Sequence, residues 1–148
     1  MSAQSYPAFT NPSTLPAAGD SRRLRIVVVD DSPTFLKVVC ALLELEEEVD
    51  VIARVADGLE ATEVVADLRP DLVLMDVHMP HLDGLTATML ITERCPLTVV
   101  VLMSSEDSPE LRIDCRAFGA QRFIVKAELR EQFPLVLKKI KNQLRTRT

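Results

Sequence analysis

Glycine is scarce in this chain, four residues among 148, and no Gly-rich phosphate loop can be assembled from them. A dinucleotide-binding reading needs clustered glycines so that backbone can approach a pyrophosphate, and it finds no footing here. Cysteine is equally sparse. Cys40, Cys95 and Cys115 are scattered, odd in number and without a Cys-x-x-Cys pair. That argues against a disulfide framework or a zinc spacing and makes free thiols in a reducing compartment the expectation. Long apolar runs are missing too: nothing approaches membrane-spanning length, and the first residues carry no signal-like apolar core. A cytoplasmic protein without membrane attachment is expected. Positive charge is in deficit, with 17 Lys and Arg against 22 Asp and Glu, a net charge of −5. This argues against nucleic-acid binding by this chain alone. The basic stretch Lys138, Lys139, Lys141, Arg145 and Arg147 reads instead as the solvated end of a helix, where cations favour the dipole.

What the chain does have is apolar residues, 47% of the total, and enough length for one domain with a substantial core. Residues 1–23 are rich in Ser, Ala and Pro, with no hydrophobic period, and read as a disordered tail. Over 24–146 strand and helix patterns alternate. Apolar runs at about 25–30, 49–55, 72–75, 98–103 and 123–125 read as strands. Between them, Ser32-Pro33, Asp57-Gly58 and Asp83-Gly84 mark helix starts, and Pro70, Pro96 and Gly119 mark helix ends. A fourth helix is expected over about 109–118 and a last one over about 131–144, the latter with Phe133, Val136, Leu137, Ile140 and Leu144 on one stripe. The fold class is α/β: a five-stranded parallel sheet, doubly wound, with helices on both faces. Right-handed crossovers then bring every strand's carboxyl end to one rim.

That rim collects charge. The first strand ends in Asp30-Asp31, the third in Asp76, the fourth in Ser104-Ser105 and the fifth in Lys126. Clustered carboxylates repel, and each raises its neighbour's pKa. A hard divalent cation such as Mg2+ relieves this, because it takes oxygen ligands from one or two carboxylates plus a phosphate. Asp76 is then a candidate nucleophile toward phosphorus, with Lys126 and a hydroxyl stabilising the transferring group.

Asp30-Asp31, Asp76 within Leu-Met-Asp-x-x-Met-Pro-x-x-Asp-Gly, Ser104 and Phe123-Ile-Val-Lys126 together resemble a response-regulator receiver domain of two-component signalling. The resemblance covers about residues 24–144 and implies the flavodoxin-like (βα)5 fold. It implies that Asp76 accepts a phosphoryl group from a histidine kinase or phosphotransfer protein. Asp31, Asp76 and the backbone carbonyl of His78 would ligate Mg2+, with Asp30 acting through metal-bound water. Ser104 would bond a phosphoryl oxygen, Lys126 another, and Phe123 would swing inward as Ser104 moves. His78 and Glu106 lie where the family tunes the lifetime of the acyl phosphate. The surface of the fourth helix, fifth strand and fifth helix would bind a downstream protein target or a second copy as a dimer. Such a domain turns over no outside substrate, although it promotes its own phosphorylation and dephosphorylation.

One departure stands out. The family carries proline after the lysine, and this chain has Ala127, so a trans Lys126-Ala127 bond is expected, a non-proline cis bond costing roughly 2.5–4 kcal/mol. Other readings have specific obstacles. An aspartate-nucleophile phosphatase of the haloacid dehalogenase type wants a second aspartate two residues after the nucleophile, and His78 stands there. His78, His81 and Asp83 as a transition-metal site must compete with the commoner solvent-exposed role of loop histidines. A phosphorylation-independent interaction module and a receiver cut from a longer regulator are both open.

Overall fold

The computed structural model describes residues 23–146. Among them alternate β1 (Leu24–Val29), α1 (Pro33–Glu44), β2 (Val49–Val55), α2 (Gly58–Leu68), β3 (Leu72–Asp76), α3 (Gly84–Arg94), β4 (Val99–Ser104), α4 (Pro109–Ala117), β5 (Arg122–Val125) and α5 (Leu129–Arg145). The strands form one parallel sheet in the order β2-β1-β3-β4-β5, as expected for the flavodoxin-like arrangement. The tail expected over 1–23 lies outside the described residues apart from Arg23, which donates to Val49 O at 3.2 Å and Asp50 Oδ1 at 3.0 Å. No helix among the described residues is long and apolar enough to cross a membrane.

β3 and β4 are buried along their whole length, and β1 nearly so, as central parallel strands covered on both faces must be. Their alternation sorts side chains into two cores. Ile26 and Val28 of β1, Leu72 and Leu74 of β3, Val101 and Met103 of β4 and Ile124 of β5 pack under α1 and α5 with Val39, Leu43, Phe133, Leu137 and Ile140. Val27, Val29, Val73, Met75, Val100 and Leu102 pack on the other face under α2, α3 and α4 with Val64, Val65, Ile91 and Cys115.

The helices begin at the carboxyl rim, and four of them are capped by a side chain there. Ser32 accepts from Phe35 N–H at 3.2 Å, Asp57 from Leu59 N–H at 2.7 Å, Asp83 from Thr86 N–H at 2.8 Å and Ser108 from Leu111 N–H at 3.1 Å. Each cap satisfies a donor that the first helical turn leaves open and fixes where the loop ends. Short, pinned loops give a rim of defined shape.

Several boundaries differ from the sequence expectation. Asp76 and Ser104 belong to their strands rather than following them. The last helix starts at Leu129, after a 3-10 turn over Lys126–Glu128, instead of near Glu131. Leu129 is buried against the α1/α5 core, and that burial draws the first turn in. Pro134 consequently lies inside the helix, at an exposed position where it removes one main-chain hydrogen bond.

Candidate functional site

β1 pairs with β2 on one side and β3 on the other, so the chain leaves β1 and β3 in opposite directions. The crevice outside those two strand ends is where an open α/β sheet accommodates a ligand. Register then sets what lines it. Val28 pairs with Leu74 and Val29 with Met75, which carries Asp30 level with Asp76. Asp30 follows Ile26 and Val28 in the two-residue period, Asp76 follows Leu72 and Leu74, and Lys126 follows Ile124. All three thus continue rows that face α1 and α5.

Ligand oxygens of Asp30, Asp31 and Asp76 all lie within 4.8 Å of one another. Asp30 is fully buried, Asp76 nearly so, and Asp31 is exposed. Lys126 Nζ stands 2.8 Å from Asp30 Oδ2 and 3.4 Å from Asp76 Oδ2. The ammonium also sits 4.3 Å from the centre of the Phe35 ring, held between an aromatic face and two carboxylates. Burial first, then the Asp30 charge, pushes the Asp76 carboxyl above the usual carboxylate range. Lys126 and the His78 backbone N–H pull it down without cancelling that push.

One lysine therefore does not satisfy the cluster. Asp30 Oδ1 accepts from Ser32 N–H at 2.9 Å, but Oδ2 is buried with no hydrogen-bond donor, its contact with Lys126 being an ion pair outside hydrogen-bond angles. Buried charge without full pairing is costly. Three hard-oxygen donors around an orphaned carboxylate oxygen fit a small divalent cation such as Mg2+. A transition-metal site does not fit. His78 Nε2 lies 2.9 Å from Glu106 Oε1, His81 Nδ1 lies 2.8 Å from Asp57 Oδ2, and Asp83 caps α3. Among the described residues the metal-competent group is the three aspartates alone.

The loop after Asp76 is held tightly. Val77 N–H donates to Met103 O at 2.9 Å, and Gly84 N–H donates to Val77 O at 2.7 Å. A Cβ on Gly84 would collide with the Asp76 carbonyl oxygen and lie 2.9 Å from Val77 Cα, so only glycine lets α3 start against the end of β3. The Asp-Gly of the sequence motif is thus the buttress behind Asp76.

Ser104 and Phe123 belong to the other face. Ser104 follows Val100 and Leu102, and Phe123 packs against the α2–α4 core. Ser104 is fully buried, and its Oγ accepts from Glu106 N–H at 3.0 Å, which leaves the hydroxyl proton free to donate. Phe123 is half-buried beneath the Arg112 guanidinium, 4.9 Å from the ring centre. Arg112 is in turn held by Asp107, at 2.7 Å through Nε and 3.2 Å through a terminal nitrogen.

The structure therefore gathers Asp30, Asp31, Asp76 and Lys126, places Ser104 at the adjacent strand end, and keeps Phe123 beside α4. No cis peptide bond occurs among the described residues, Lys126-Ala127 included, and the lysine reaches the acids without the usual proline. Phe35 and Arg112 were not anticipated. The place of Phe35 on the first turn of α1, shortly after Asp31, is the sequence signal that it could reach the rim.

The family described as "Response regulator receiver domain" matches residues 26–138. A protein-glutamate methylesterase/protein-glutamine glutaminase of Methanospirillum hungatei is 37% identical over 97 residues, 66% of this chain and 28% of that protein. The chain thus spans under a third of that relative's length. Among solved structures, the response regulator domain of CheB from Thermotoga maritima is 32% identical with a TM-score of 0.73, covering 82% of this chain and 96% of that one. A chain of the CheX-CheY-BeF3-Mg2+ complex from Borrelia burgdorferi is 28% identical with a TM-score of 0.71, covering 78% and 90%.

Proposed function

The chain belongs to the response regulator receiver domain family of two-component signalling, and on that premise we propose that residues 24–146 act in the cytoplasm as a receiver phosphorylated on Asp76. The donor is a phosphohistidine on a histidine kinase or phosphotransfer protein. An Asp76 oxygen attacks phosphorus, the P–O bond forms as the P–N bond breaks, and the electron pair leaves on the imidazole nitrogen. Asp31, Asp76 and the His78 carbonyl would hold Mg2+, with Asp30 behind them. The ion, when bound, neutralises charge on the transferring oxygens.

The remaining work falls to side chains. Lys126, 3.4 Å from Asp76 Oδ2, opposes the upward push of burial on that carboxyl and then pairs with a phosphoryl oxygen. Ser104 donates its free proton to a second oxygen. Because its Oγ already holds Glu106 N–H, movement of Ser104 draws on the loop between β4 and α4. Phe123, on the same sheet face, follows, and the α4-β5-α5 surface changes for a downstream protein target or a second copy. Transfer to and loss from its own aspartate is then the only chemistry, with no turnover of an outside substrate. The methylesterase and glutaminase activities named for the relative are that protein's.

The observation that carries this reading is the buried, incompletely paired Asp30 beside Asp76, a costly arrangement that a bound divalent cation would relieve. It gains support from the Borrelia relative, whose complex contains BeF3 and Mg2+. The test is incubation with Mg2+ and acetyl phosphate, read by intact mass. The expected result is one hydroxylamine-labile phosphoryl group on the wild-type chain and none on Asp76→Asn. A wild-type chain that takes no phosphoryl group sinks the mechanism.

A further inference from the structure

α4 separates its charges by flank. At about 100° per residue, buried Cys115 looks inward, Arg112 and Arg116 fall on one flank, and Glu110 and Asp114 fall on the other. The basic flank meets β5, where it lines a cleft of about 220 Å3 with Arg122, Phe123 and Gln121. No carboxylate lines that cleft. Arg122 donates only to its neighbour's carbonyl, Gln121 O, at 3.1 Å. Neither Arg116 nor Arg122 has a carboxylate partner among the described residues. Ile113, 67% exposed, lines a neighbouring depression with Arg112, Arg116 and Ala117 on the outer side of the same helix. From α5, Lys139 shares the flank of Gln143, which bonds Gln121 at 2.9 Å, and adds positive charge at the same edge.

In a chain of net charge −5, the two guanidinium groups of Arg116 and Arg122 without carboxylate partners, beside the Asp107-paired Arg112, make a local inversion of sign. The cleft is smaller than the roughly 300–1,000 Å3 of small-molecule pockets, so it suits a side-chain anchor rather than a cofactor. Guanidinium forks match carboxylates in two-point geometry. We infer that the α4–β5 cleft binds an acidic segment of a partner protein, its carboxylates on Arg116 and Arg122 and an adjacent apolar side chain on Ile113. This rests on the receiver reading for its regulation and names the partner's chemistry. Arg112 supplies the coupling, because one guanidinium both covers Phe123 and holds Asp107 of the loop after Ser104. A state in which Phe123 turns inward and the loop after Ser104 carries Asp107 away frees the Arg112 fork for the incoming acid. By linkage the acidic partner then favours the phosphorylated state by the same factor that phosphorylation favours the partner.

The test is NMR titration of the full chain with a short acetylated, amidated peptide alternating Glu and Leu, at low salt, with and without Mg2+ and beryllofluoride. Saturable shifts are expected at Arg116, Arg122 and Phe123, none with the Lys/Leu counterpart, and several-fold tighter binding with beryllofluoride. Arg116→Gln with Arg122→Gln, both exposed and outside the phosphoryl site, should weaken binding roughly tenfold while leaving the beryllofluoride shifts around Asp76 intact. Absence of saturable shifts, shifts that survive the double substitution, or preferential binding of an oligothymidylate of equal charge overturns the inference. Peptide binding that ignores bound beryllofluoride overturns the coupling. Failure of beryllofluoride to perturb the Asp76 region at all is a separate outcome that overturns the receiver reading itself.

Discussion

The two faces of the sheet carry different halves of the work. Under α1 and α5 run the rows that end in Asp30, Asp76 and Lys126, and these residues are enclosed and charged. Under α2, α3 and α4 run the rows that contain Ser104 and Phe123. That face ends in a four-residue strand, β5, and a nine-residue helix, α4, with a single buried residue. The first half is built to hold reacting groups at fixed distances. The α4–β5 edge of the second is held by few buried side chains, and segments of that kind open or shift at low free energy. One sheet thus joins a rigid cluster of acids to a yielding surface, with Ser104 and Phe123, the proposed switch residues, on the yielding side.

Core truncation separates the halves most strongly. Leu74→Ala, in the fully buried β3 row beneath the acids, is expected to cost about 2–5 kcal/mol in urea unfolding. Ile113→Ala on the exposed face of α4 should stay within about 0.5 kcal/mol. Equal losses would mean that α4 is packed as firmly as β3 and would break the contrast.

A smaller effect comes from the charge cluster. The Asp76 carboxyl is raised by burial and by Asp30, so its ionised form destabilises the fold. A carboxyl with a raised folded-state pKa imposes that penalty in full above its folded value, and the penalty disappears as pH falls through the unfolded value, near 3.9 for aspartate. Asp76→Asn should therefore raise the urea midpoint at neutral pH without Mg2+, and its advantage should shrink as the pH falls toward that value. A substitution that lowers stability at neutral pH would show that Lys126 already balances the site.

The smallest effect is expected at the β2–α2 loop. Burial pushes the Asp57 carboxyl up, but hydrogen bonds from His81, Leu59 N–H and Glu60 N–H outweigh it and leave the pKa low. Such a group stabilises above its unfolded pKa, and the gain is lost as pH falls through the depressed folded value. Asp57→Asn, which keeps an N-cap, should lower the midpoint modestly near neutrality and match wild type in acid, as followed by denaturant midpoints across pH.

Much of this was legible before any coordinates. Runs such as Ile26-Val-Val-Val29 and Leu72-Val-Leu-Met75 are apolar on both faces and can only be central parallel strands, and the topology rules then deliver Asp30, Asp31, Asp76 and Lys126 to one rim. The division between faces is also latent in the sequence, since it follows from odd and even positions, but it needs the pairing register of β1, β3 and β4 to become definite. Side-chain partnerships were not legible. That Lys126 lies closer to Asp30 than to Asp76, that Phe35 backs its ammonium, and that Arg112 bridges Asp107 and Phe123 depend on rotamers and loop paths that periodicity does not encode. The early start of α5 escaped because Leu129 belongs to the core by tertiary contact rather than by the helical stripe that was read from Phe133 onward.

The division between a fixed and a yielding half is tested most directly by amide hydrogen exchange on the chain with and without Mg2+ and beryllofluoride. The expected result is altered exchange at 104–108, across α4 and in β5, with the interiors of β1 and β3 protected to the same degree in both states. Exchange that changes equally along β1 and β3, or that leaves α4 and β5 unaltered while beryllofluoride is bound, would contradict it.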